Sequence, residues 1–347
     1  MTVPRKTLVI RFSSIGDVVL TSPALRVLRR RFPDAQIDFL TKAEFADLVR
    51  FNPNLNMTFE YRTGDPLGSL VQRLKEERYD LVVDLHNSLR SRIVRSRIAP
   101  RAWVTMDKRA VRRFLLVHGK INLYDADVSV ADRCIEPLAA LGITPDGAGP
   151  ELHIPDDVLF AVSGRMAKLQ LNRFERVVGL CPSARHDTKR WPPDRFAALG
   201  TALAKCADAK ILIFGGPSDK DLCAGIARAI QESAGPERAT DLSGSFSLLE
   251  TGAAMQSCDV VVSNDSGLMH IASAMQKKVV ALFGPTVREF GFFPSGTDAT
   301  VLQVNDLYCR PCSHVGRDRC PEGHFRCMRE ISVDDVTSRT LSILQPL

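Results

Sequence analysis

A run of small polar residues, Asp265, Ser266 and Gly267, joins two apolar patterns. Residues 260–262 before it have the pattern of a buried strand, and residues 268–275 after it have that of a short helix. Backbone N–H groups at the start of a helix attract anions, as does the helix dipole. This turn is therefore a candidate phosphate site, and a purely structural helix cap is the alternative.

Two other turns carry ionisable residues where a strand pattern ends. Asp17 follows Gly16 after the first strand pattern, at the edge where open α/β sheets bind their ligands. Lys189 follows the strand pattern at residues 177–180, and its ammonium group suits a diphosphate. A basic surface loop is the alternative for this second segment. The further candidates in the same loop are Ser183, Thr188 and Arg190.

Asp219 follows two glycines after the strand pattern at residues 211–214. Glycines at a strand end allow a ligand to approach the backbone closely, and the carboxylate can accept hydrogen bonds from a ribose. None of these turns is a Walker loop or a complete G-x-G-x-x-G fingerprint. The sequence therefore argues against a P-loop kinase and against a dehydrogenase.

These turns belong to a regular alternation of strand and helix patterns. Strand patterns lie at residues 6–12, 36–40, 56–59, 81–84 and 103–105, and then at 177–180, 211–214, 259–262 and 279–283. Helix patterns include residues 18–31, 45–51, 67–77, 88–97 and 127–141. The alternation predicts an α/β protein with two doubly wound domains, joined by the Pro- and Gly-rich residues 144–155. The predicted ranges are 1–150, 156–331 and a C-terminal helix segment, 332–347.

Four segments resemble glycosyltransferase family 9, the ADP-heptose:lipopolysaccharide heptosyltransferases. They are SSIGDVVLTSPAL (13–25), TKRWP (188–192), FGGPSDKD (214–221) and SNDSGLMH (263–270). The resemblance follows the family's order and spacing over nearly the whole chain. It implies a GT-B architecture, with two Rossmann-like domains facing each other across a cleft. It also implies that the N-terminal domain binds the acceptor, that the C-terminal domain binds the nucleotide sugar, and that the final helix packs back towards the first domain.

The same resemblance implies roles for particular residues. Asp17 would be the general base of a single, inverting displacement that moves heptose from ADP-heptose to the inner core of lipopolysaccharide. Asp219 falls on the family's ribose-binding position, and Phe246 lies where an apolar residue covers the adenine. The implied nucleotide-sugar-binding residues are Lys189, Asp219, Phe246, Asp265, Ser266, Gly267 and His270. The acceptor-binding candidates are Ser14, Gly16, Arg90 and Arg92.

The family requires no metal, because basic side chains and helix N-termini offset the charge of the leaving diphosphate. A cluster of cysteines nevertheless has the spacing C-x2-C-x7-C-x6-C. It is either a structural zinc site or a set of reduced thiols that packs a loop. The four residues are Cys309, Cys312, Cys320 and Cys327. The Asp125-Ala126-Asp127 sequence has the D-x-D form of metal-dependent transferases, and we interpret it as a helix cap.

The net charge is +6, and basic residues are concentrated between His86 and Lys120, where Asp107 is the one acid. Such a region suits an anionic lipid surface, a phosphorylated substrate or nucleic acid. Few aromatic residues accompany these arginines, so nucleic acid is not the expected partner. Two alternatives stay open: a relative that uses another nucleotide sugar on a different surface glycan, and a nucleic-acid-binding protein with a structural zinc site.

No stretch has the pattern of a signal peptide or a membrane span. We therefore expect a cytoplasmic protein that binds peripherally to the cytoplasmic face of the inner membrane. The expected partners are an ADP-sugar donor and a phosphorylated lipid A–core acceptor.

Overall fold

The computed structural model describes residues 3–344, and the chain divides into two compact units. The first unit contains the described residues up to Ala110 and the segment Val128–His153. The second contains Val111–Asp127 and the described residues from Ile154 onwards. The segment Val111–Asp127 thus groups with the second unit, although it lies within the predicted range 1–150. Residues 1–2 and 345–347 of the predicted ranges lie outside the described residues.

Both units are built on a fully parallel sheet. The strands of the first are β1 (Lys6–Ile10), β2 (Gln36–Lys42), β3 (Met57–Tyr61), β4 (Leu81–Asp84) and β5 (Ala102–Thr105). Those of the second are β6 (Arg176–Cys181), β7 (Ala209–Ile213), β8 (Ala239–Asp241), β9 (Val260–Asn264), β10 (Lys278–Phe283) and β11 (Ala299–Gln303). The first sheet has the order β3-β2-β1-β4-β5 and the second β11-β10-β9-β6-β7-β8. Counted within its own unit, each follows the Rossmann order, in which the first and fourth strands are neighbours.

Helices connect the strands and cover the sheets. They are α1 (Ile15–Val19), α2 (Ser22–Arg31), α3 (Asp47–Arg50), α4 (Leu67–Glu76), α5 (Leu89–Ile98), α6 (Ala110–Phe114), α7 (Val130–Ile135), α8 (Asp156–Ala167), α9 (Pro193–Cys206), α10 (Lys220–Ala234), α11 (Leu248–Met255), α12 (Gly267–Ala274), α13 (Arg326–Arg329) and α14 (Val333–Leu344). The central strands β1, β4, β6, β9 and β10 are almost entirely buried, as expected for parallel strands covered on both faces. The predicted α/β class with two doubly wound sheets is confirmed.

The last helix, α14, packs on α9, β9 and β10 of the second unit. Its residues Val336 and Leu344 are buried in the core that this unit builds around β6, β7 and β9. The expected approach of this helix to the N-terminal domain stays a prediction. Among residues 3–344, no helix is both long enough and apolar enough to cross a bilayer.

Two strands of the second sheet lack a clear sequence pattern. β8 has only three residues, and β11 is a half-buried edge strand, so neither carries a long apolar run. The helix predicted at residues 18–31 is two helices, α1 and α2, with Pro23 in the first turn of the second.

The helix-cap interpretation of the D-x-D sequence is wrong. Helix α7 begins at Val130, and its cap is Ser129, whose side chain accepts a hydrogen bond from the backbone of Asp132. Asp125 and Asp127 instead form ion pairs with arginines, because both lie exposed in the loop before the helix. Their partners are Arg112 and Arg288, at 2.7 and 3.1 Å respectively.

Candidate active site

At the carboxyl edge of the second sheet, a residue of interest follows each of five strands. Lys189 follows β6, Asp219 follows β7, Phe246 follows β8, Asp265 follows β9 and Thr286 follows β10. Because parallel strands all end at one edge, these residues share one side of the unit. Four of them were predicted from the sequence, and Thr286 was not.

Asp265 is the centre of this edge. It is 5% exposed, and it lies between the end of β9 and the start of α12. Its Oδ2 atom is 2.6 Å from Lys189 Nζ and accepts a hydrogen bond from Thr286 Oγ1 at 2.7 Å. Three separate turns therefore converge on one buried carboxylate, which holds the Lys189 ammonium beside the N-terminus of a helix.

The turn that carries Lys189 is anchored on both sides of that residue. Trp191 is almost fully buried; its backbone N–H donates to Asn264 Oδ1 at 3.0 Å, and its indole donates to the Ile331 carbonyl at 3.1 Å. The Asn264 side chain also donates to the Pro182 carbonyl at 2.7 Å. The position of Lys189 is thus fixed by β9 and by the segment before α14.

Thr188 is 3% exposed, and its hydroxyl is engaged by the backbone of Arg317, which donates to it at 2.8 Å. The hydroxyl in turn donates to the Arg317 carbonyl at 2.9 Å. Arg190 Nε donates to the Ala184 carbonyl at 2.7 Å, and Ser183 is 8% exposed. In the described structure, these three predicted donor-loop residues shape the loop around Lys189.

Helix α12 begins with Gly267, and Ser266 is its N-cap residue. Ser266 Oγ lies 3.4 Å from Ser263 Oγ at the end of β9. His270 is 4% exposed in the same helix, and its ring centroid lies 6.3 Å from that of Phe292. The helix therefore presents its first-turn N–H groups beside Asp265 and Lys189, which is favourable for binding an anion.

Asp219 and Phe246 lie at the same edge, and each has a local contact. Asp219 Oδ2 accepts a hydrogen bond from the Gly216 backbone at 2.8 Å, which closes the turn before α10. The ring of Phe246 is half-buried, and the Arg165 guanidinium lies 4.0 Å from its centroid. The predicted ribose and adenine contacts of these residues stay predictions.

In the first unit, Asp17 lies in α1, the first helix after β1. Its Oδ1 atom is 2.6 Å from Arg11 Nη2, and its Oδ2 atom accepts hydrogen bonds from Ser14 N at 3.0 Å and Ser14 Oγ at 2.9 Å. Burial raises the pKa of Asp17, but the charge of Arg11 and the Ser14 hydrogen bonds lower it by more. The net pKa lies below the ordinary value, so this carboxyl is ionised at neutral pH.

Arg11 is 9% exposed and is held by the protein backbone. Its Nε donates to the Ser13 carbonyl at 3.0 Å, and its Nη1 donates to the Leu85 carbonyl. Nearby, burial and the charge of Arg11 together lower the pKa of His86 to about 4. His86 is therefore a neutral imidazole at pH 7, beside a fixed Arg11–Asp17 ion pair.

Sequence reasoning missed Arg11 and Thr286. Arg11 had one available signal, because it is a charged residue at the end of an otherwise apolar strand pattern. Thr286 had none, because a threonine after Gly-Pro is an ordinary loop residue.

The positive charge of the basic stretch between His86 and Lys120 is neutralised more fully than the sequence indicates. Arg95 pairs with Asp84 at 3.5 Å, and Arg109 pairs with Glu136. The guanidinium carbon of Arg90 lies 4.9 Å from the centre of the Tyr61 ring. The predicted acceptor residue Arg92 donates to Asn87 Oδ1 at 3.0 Å, and Gly16 is buried in α1. Carboxylates outside the stretch thus neutralise part of its positive charge.

None of the nine cysteines, all of which lie in the described part of the chain, forms a disulfide. Cys309 Sγ lies 3.7 Å from His324 Nε2, and Cys327 is buried. Within residues 3–344, no three His, Cys, Asp or Glu side chains converge as ligands for a metal ion. Zinc binding and reduced thiols both stay predictions, and metal analysis of protein purified without added zinc separates them: less than about a tenth of an equivalent excludes a closed four-thiolate site.

Solved structures share this architecture over almost the whole chain. The family 9 glycosyl transferase of Veillonella parvula aligns with a TM-score of 0.82 at 22% identity, covering 98% of this chain and 97% of that one. The ADP-heptose LPS heptosyltransferase II of Escherichia coli aligns with a TM-score of 0.75 at 24% identity, covering 98% of each chain. With two Rossmann-like units and these neighbours, the fold is that of a GT-B glycosyltransferase.

Sequence comparison gives the family. Residues 67–320 match the sequence model of glycosyltransferase family 9 (heptosyltransferase), and the chain belongs to this family. It is 28% identical over 359 residues to lipopolysaccharide heptosyltransferase 2 of Escherichia coli K12, covering 98% of each protein. It is 25% identical over 335 residues to lipooligosaccharide heptosyltransferase 2 of Campylobacter jejuni, covering 95% of this chain and 96% of that protein.

Proposed function

We propose that this protein transfers heptose from ADP-heptose to a hydroxyl group of the lipopolysaccharide inner core, with inversion at the anomeric carbon. The observation that carries the proposal is the Lys189–Asp265 pair, 2.6 Å apart, beside the N-terminus of α12 in a family 9 chain. A lysine held against a helix N-terminus is suited to a diphosphate. Relatives named as lipopolysaccharide heptosyltransferases support the choice of acceptor.

In this proposal the second unit binds the donor. Lys189 and the first-turn N–H groups at Ser266 and Gly267 contact the diphosphate, and Asp219 accepts hydrogen bonds from the ribose. Phe246 covers the adenine, and His270 lies one helical turn beyond the phosphates. Lysine and the helix N-terminus offset the charge that develops on the leaving ADP, so the proposal assigns no catalytic metal.

The first unit provides the base. The acceptor oxygen attacks the anomeric carbon, the bond from that carbon to the diphosphate oxygen breaks, and the hydroxyl proton passes to Asp17. Because the pKa of Asp17 is lowered, the carboxylate is a weak base that is ready to accept the proton at neutral pH. Ser14, Gly16, Arg90 and Arg92 are proposed to contact the phosphorylated acceptor.

The acceptor chemistry also sets the proposed location. A lipid A–core acceptor is embedded in a membrane, so the enzyme would work at the cytoplasmic face of the inner membrane as a peripheral protein. The basic residues that remain exposed in both units are compatible with such a surface.

The catalytic assignment is tested with Asp17→Ala. The variant should bind ADP as the unchanged protein does and should lose transfer by about two to four orders of magnitude, the usual contribution of a general base. Transfer at near the original rate would remove Asp17 from the role of base.

The donor assignment is tested with ADP, UDP and GDP in a thermal-shift assay. ADP should stabilise the protein most, because at equal concentration the ligand that binds the native state more tightly raises the melting temperature more. Lys189→Met should abolish most of this shift, whereas Lys205→Met, exposed in the last turn of α9 in the same unit, should not. A larger shift with UDP or GDP would favour the relative that uses another nucleotide sugar.

A further inference from the structure

An exposed apolar surface lies on residues 111–123, which we call the 111–123 segment. Four of the twelve large hydrophobic side chains that are exposed in the described chain lie in these thirteen residues. Val111 is 71% exposed, Phe114 61%, Ile121 50% and Leu123 46%. Val111 and Phe114 are three residues apart in α6, so they share one face of the helix. A cluster of this kind on a folded protein marks an interaction site.

The apolar side chains are not exposed because the segment is loosely held. Leu116 is buried at 6% exposure, and Lys120 Nζ donates to the carbonyls of Cys309 at 2.9 Å and Pro311 at 2.6 Å. Asn122 donates to Glu289 at 3.0 Å. The 111–123 segment is therefore fastened to the second unit, and it still presents its apolar side chains to solvent.

The charged residues of the 111–123 segment are all basic. It contains Arg112, Arg113 and Lys120, and it contains no acidic residue. Lys120 is bonded to carbonyl groups, and Arg112 pairs with Asp125, which is itself 83% exposed. No carboxylate of the described residues lies within ion-pair distance of Arg113. Apolar side chains beside an arginine that no carboxylate pairs complement an anionic lipid surface, where cations meet headgroups and apolar groups enter the acyl boundary.

We propose that the 111–123 segment is the element with which this protein docks on an anionic membrane, with Val111 and Phe114 entering the lipid. Arg112 and Arg113 contact the headgroups. This inference rests on the proposed function in one respect, since a lipid-anchored acceptor gives the docking its purpose. The binding itself does not depend on the reaction and is measured without it.

The experiment measures flotation of the full chain with vesicles of about 30% phosphatidylglycerol in phosphatidylcholine. Unchanged protein should float with these vesicles and not with pure phosphatidylcholine, and binding should weaken as salt is raised. Val111→Ser/Phe114→Ser should lower the partition coefficient by about tenfold or more, since two apolar anchors are lost. Arg113→Gln should lower it by about three- to tenfold.

The matched control is Phe160→Ser in α8, because Phe160 is 82% exposed in the same unit but outside the 111–123 segment. It should float as the unchanged protein does. The proposal is overturned if the unchanged protein does not bind anionic vesicles, or if Val111→Ser/Phe114→Ser binds them as well as the control. Unfolding temperatures of all variants should agree, because the substituted side chains are exposed.

A transfer assay with a deacylated, soluble core acceptor separates this inference from the proposed function. Val111→Ser/Phe114→Ser should keep its rate on the soluble acceptor and lose rate on the acceptor in vesicles. Absence of transfer by the unchanged protein, together with normal flotation, would contradict the proposed function and leave the docking intact. Equal loss of rate on both acceptors would show that the segment serves catalysis and would overturn the docking role.

Discussion

Arg11 Nη2 lies 2.6 Å from Asp17 Oδ1, so the proposed base is held in an ion pair with a nearly buried guanidinium. The opposite charge stabilises the carboxylate and lowers its pKa. Replacing Arg11 by Gln should raise the pKa of Asp17 and move the acidic limb of the kcat/KM profile to higher pH, by about one unit or more. The acidic limb moves to higher pH because only the ionised carboxylate can accept the proton.

Arg11→Lys is the control for charge. It keeps a cation near Asp17 and should leave the acidic limb closer to that of the unchanged enzyme. Thermal unfolding of both variants shows whether loss of the hydrogen bonds to Ser13 and Leu85 destabilises the first unit. An active Arg11→Gln enzyme with an unshifted acidic limb would contradict either the ion pair or the role of Asp17.

Thr286 should position Asp265 in the donor site. Its hydroxyl is fully buried and donates to the carboxylate oxygen that also contacts Lys189. Thr286→Val removes a hydrogen bond to a charged group, which costs about 1.5–3 kcal/mol, and we expect ADP affinity to fall by about tenfold. Titration calorimetry with ADP measures the effect, and Thr286→Ser should restore most of the affinity. Unchanged affinity of Thr286→Val would show that this hydroxyl serves stability alone.

Gly284 directly follows β10 and lies close to the turn that carries Lys189. A Cβ atom there would meet Met328 Sδ at 2.5 Å and the Thr188 carbonyl oxygen at 3.3 Å. Gly284→Ala should therefore lower the free energy of unfolding by about 1–3 kcal/mol, because it overpacks a filled core, and it should weaken ADP binding. Chemical denaturation measures the first effect.

Gly164→Ala is the matched control, because nothing lies within 4 Å of a Cβ atom at this position in α8. Alanine is the better helix former, so this variant should gain about 0.5–1 kcal/mol. A Gly284→Ala protein as stable as Gly164→Ala would contradict the close packing of Met328 against β10.

Asp146 links the predicted interdomain connection to α2. It accepts hydrogen bonds from Arg26 at 2.8 and 2.9 Å and from Arg30 at 2.8 Å. Its pKa is lowered to about 2, and the Arg26 bonds are the largest cause. A lowered native pKa stabilises the fold above the unfolded pKa, near 4, and this stability is lost as pH falls towards 2. Asp146→Asn should therefore unfold more easily at pH 7, by about 2 kcal/mol. The deficit should shrink between pH 4 and pH 2, and a deficit independent of pH would contradict the ion pair.

The candidate site was predictable where strand ends and turn chemistry determine position. Asp17, Lys189, Asp219 and Asp265 each follow an apolar strand pattern, and the edge of a parallel sheet brings such positions together. The sequence predicted Thr188 as a donor-loop residue, but it did not show that the Thr188 hydroxyl bonds to the backbone of Arg317. Arg317 is far away in sequence.

The sequence by itself determined the alternation of strands and helices, because the periodicity of apolar residues is a local property. It also determined which acids, lysines and glycines stand at strand ends. Only the tertiary structure decided which charges are partnered: Asp17 by Arg11, Asp265 by Lys189 and Thr286, and Arg95 by Asp84. It likewise decided that the 111–123 segment folds with the second unit and leaves its apolar side chains exposed. The Asp265 contacts depend on where distant segments meet in space, and the other two pairs depend on how the chain folds back after a strand. The local pattern of apolar residues carries no information about either.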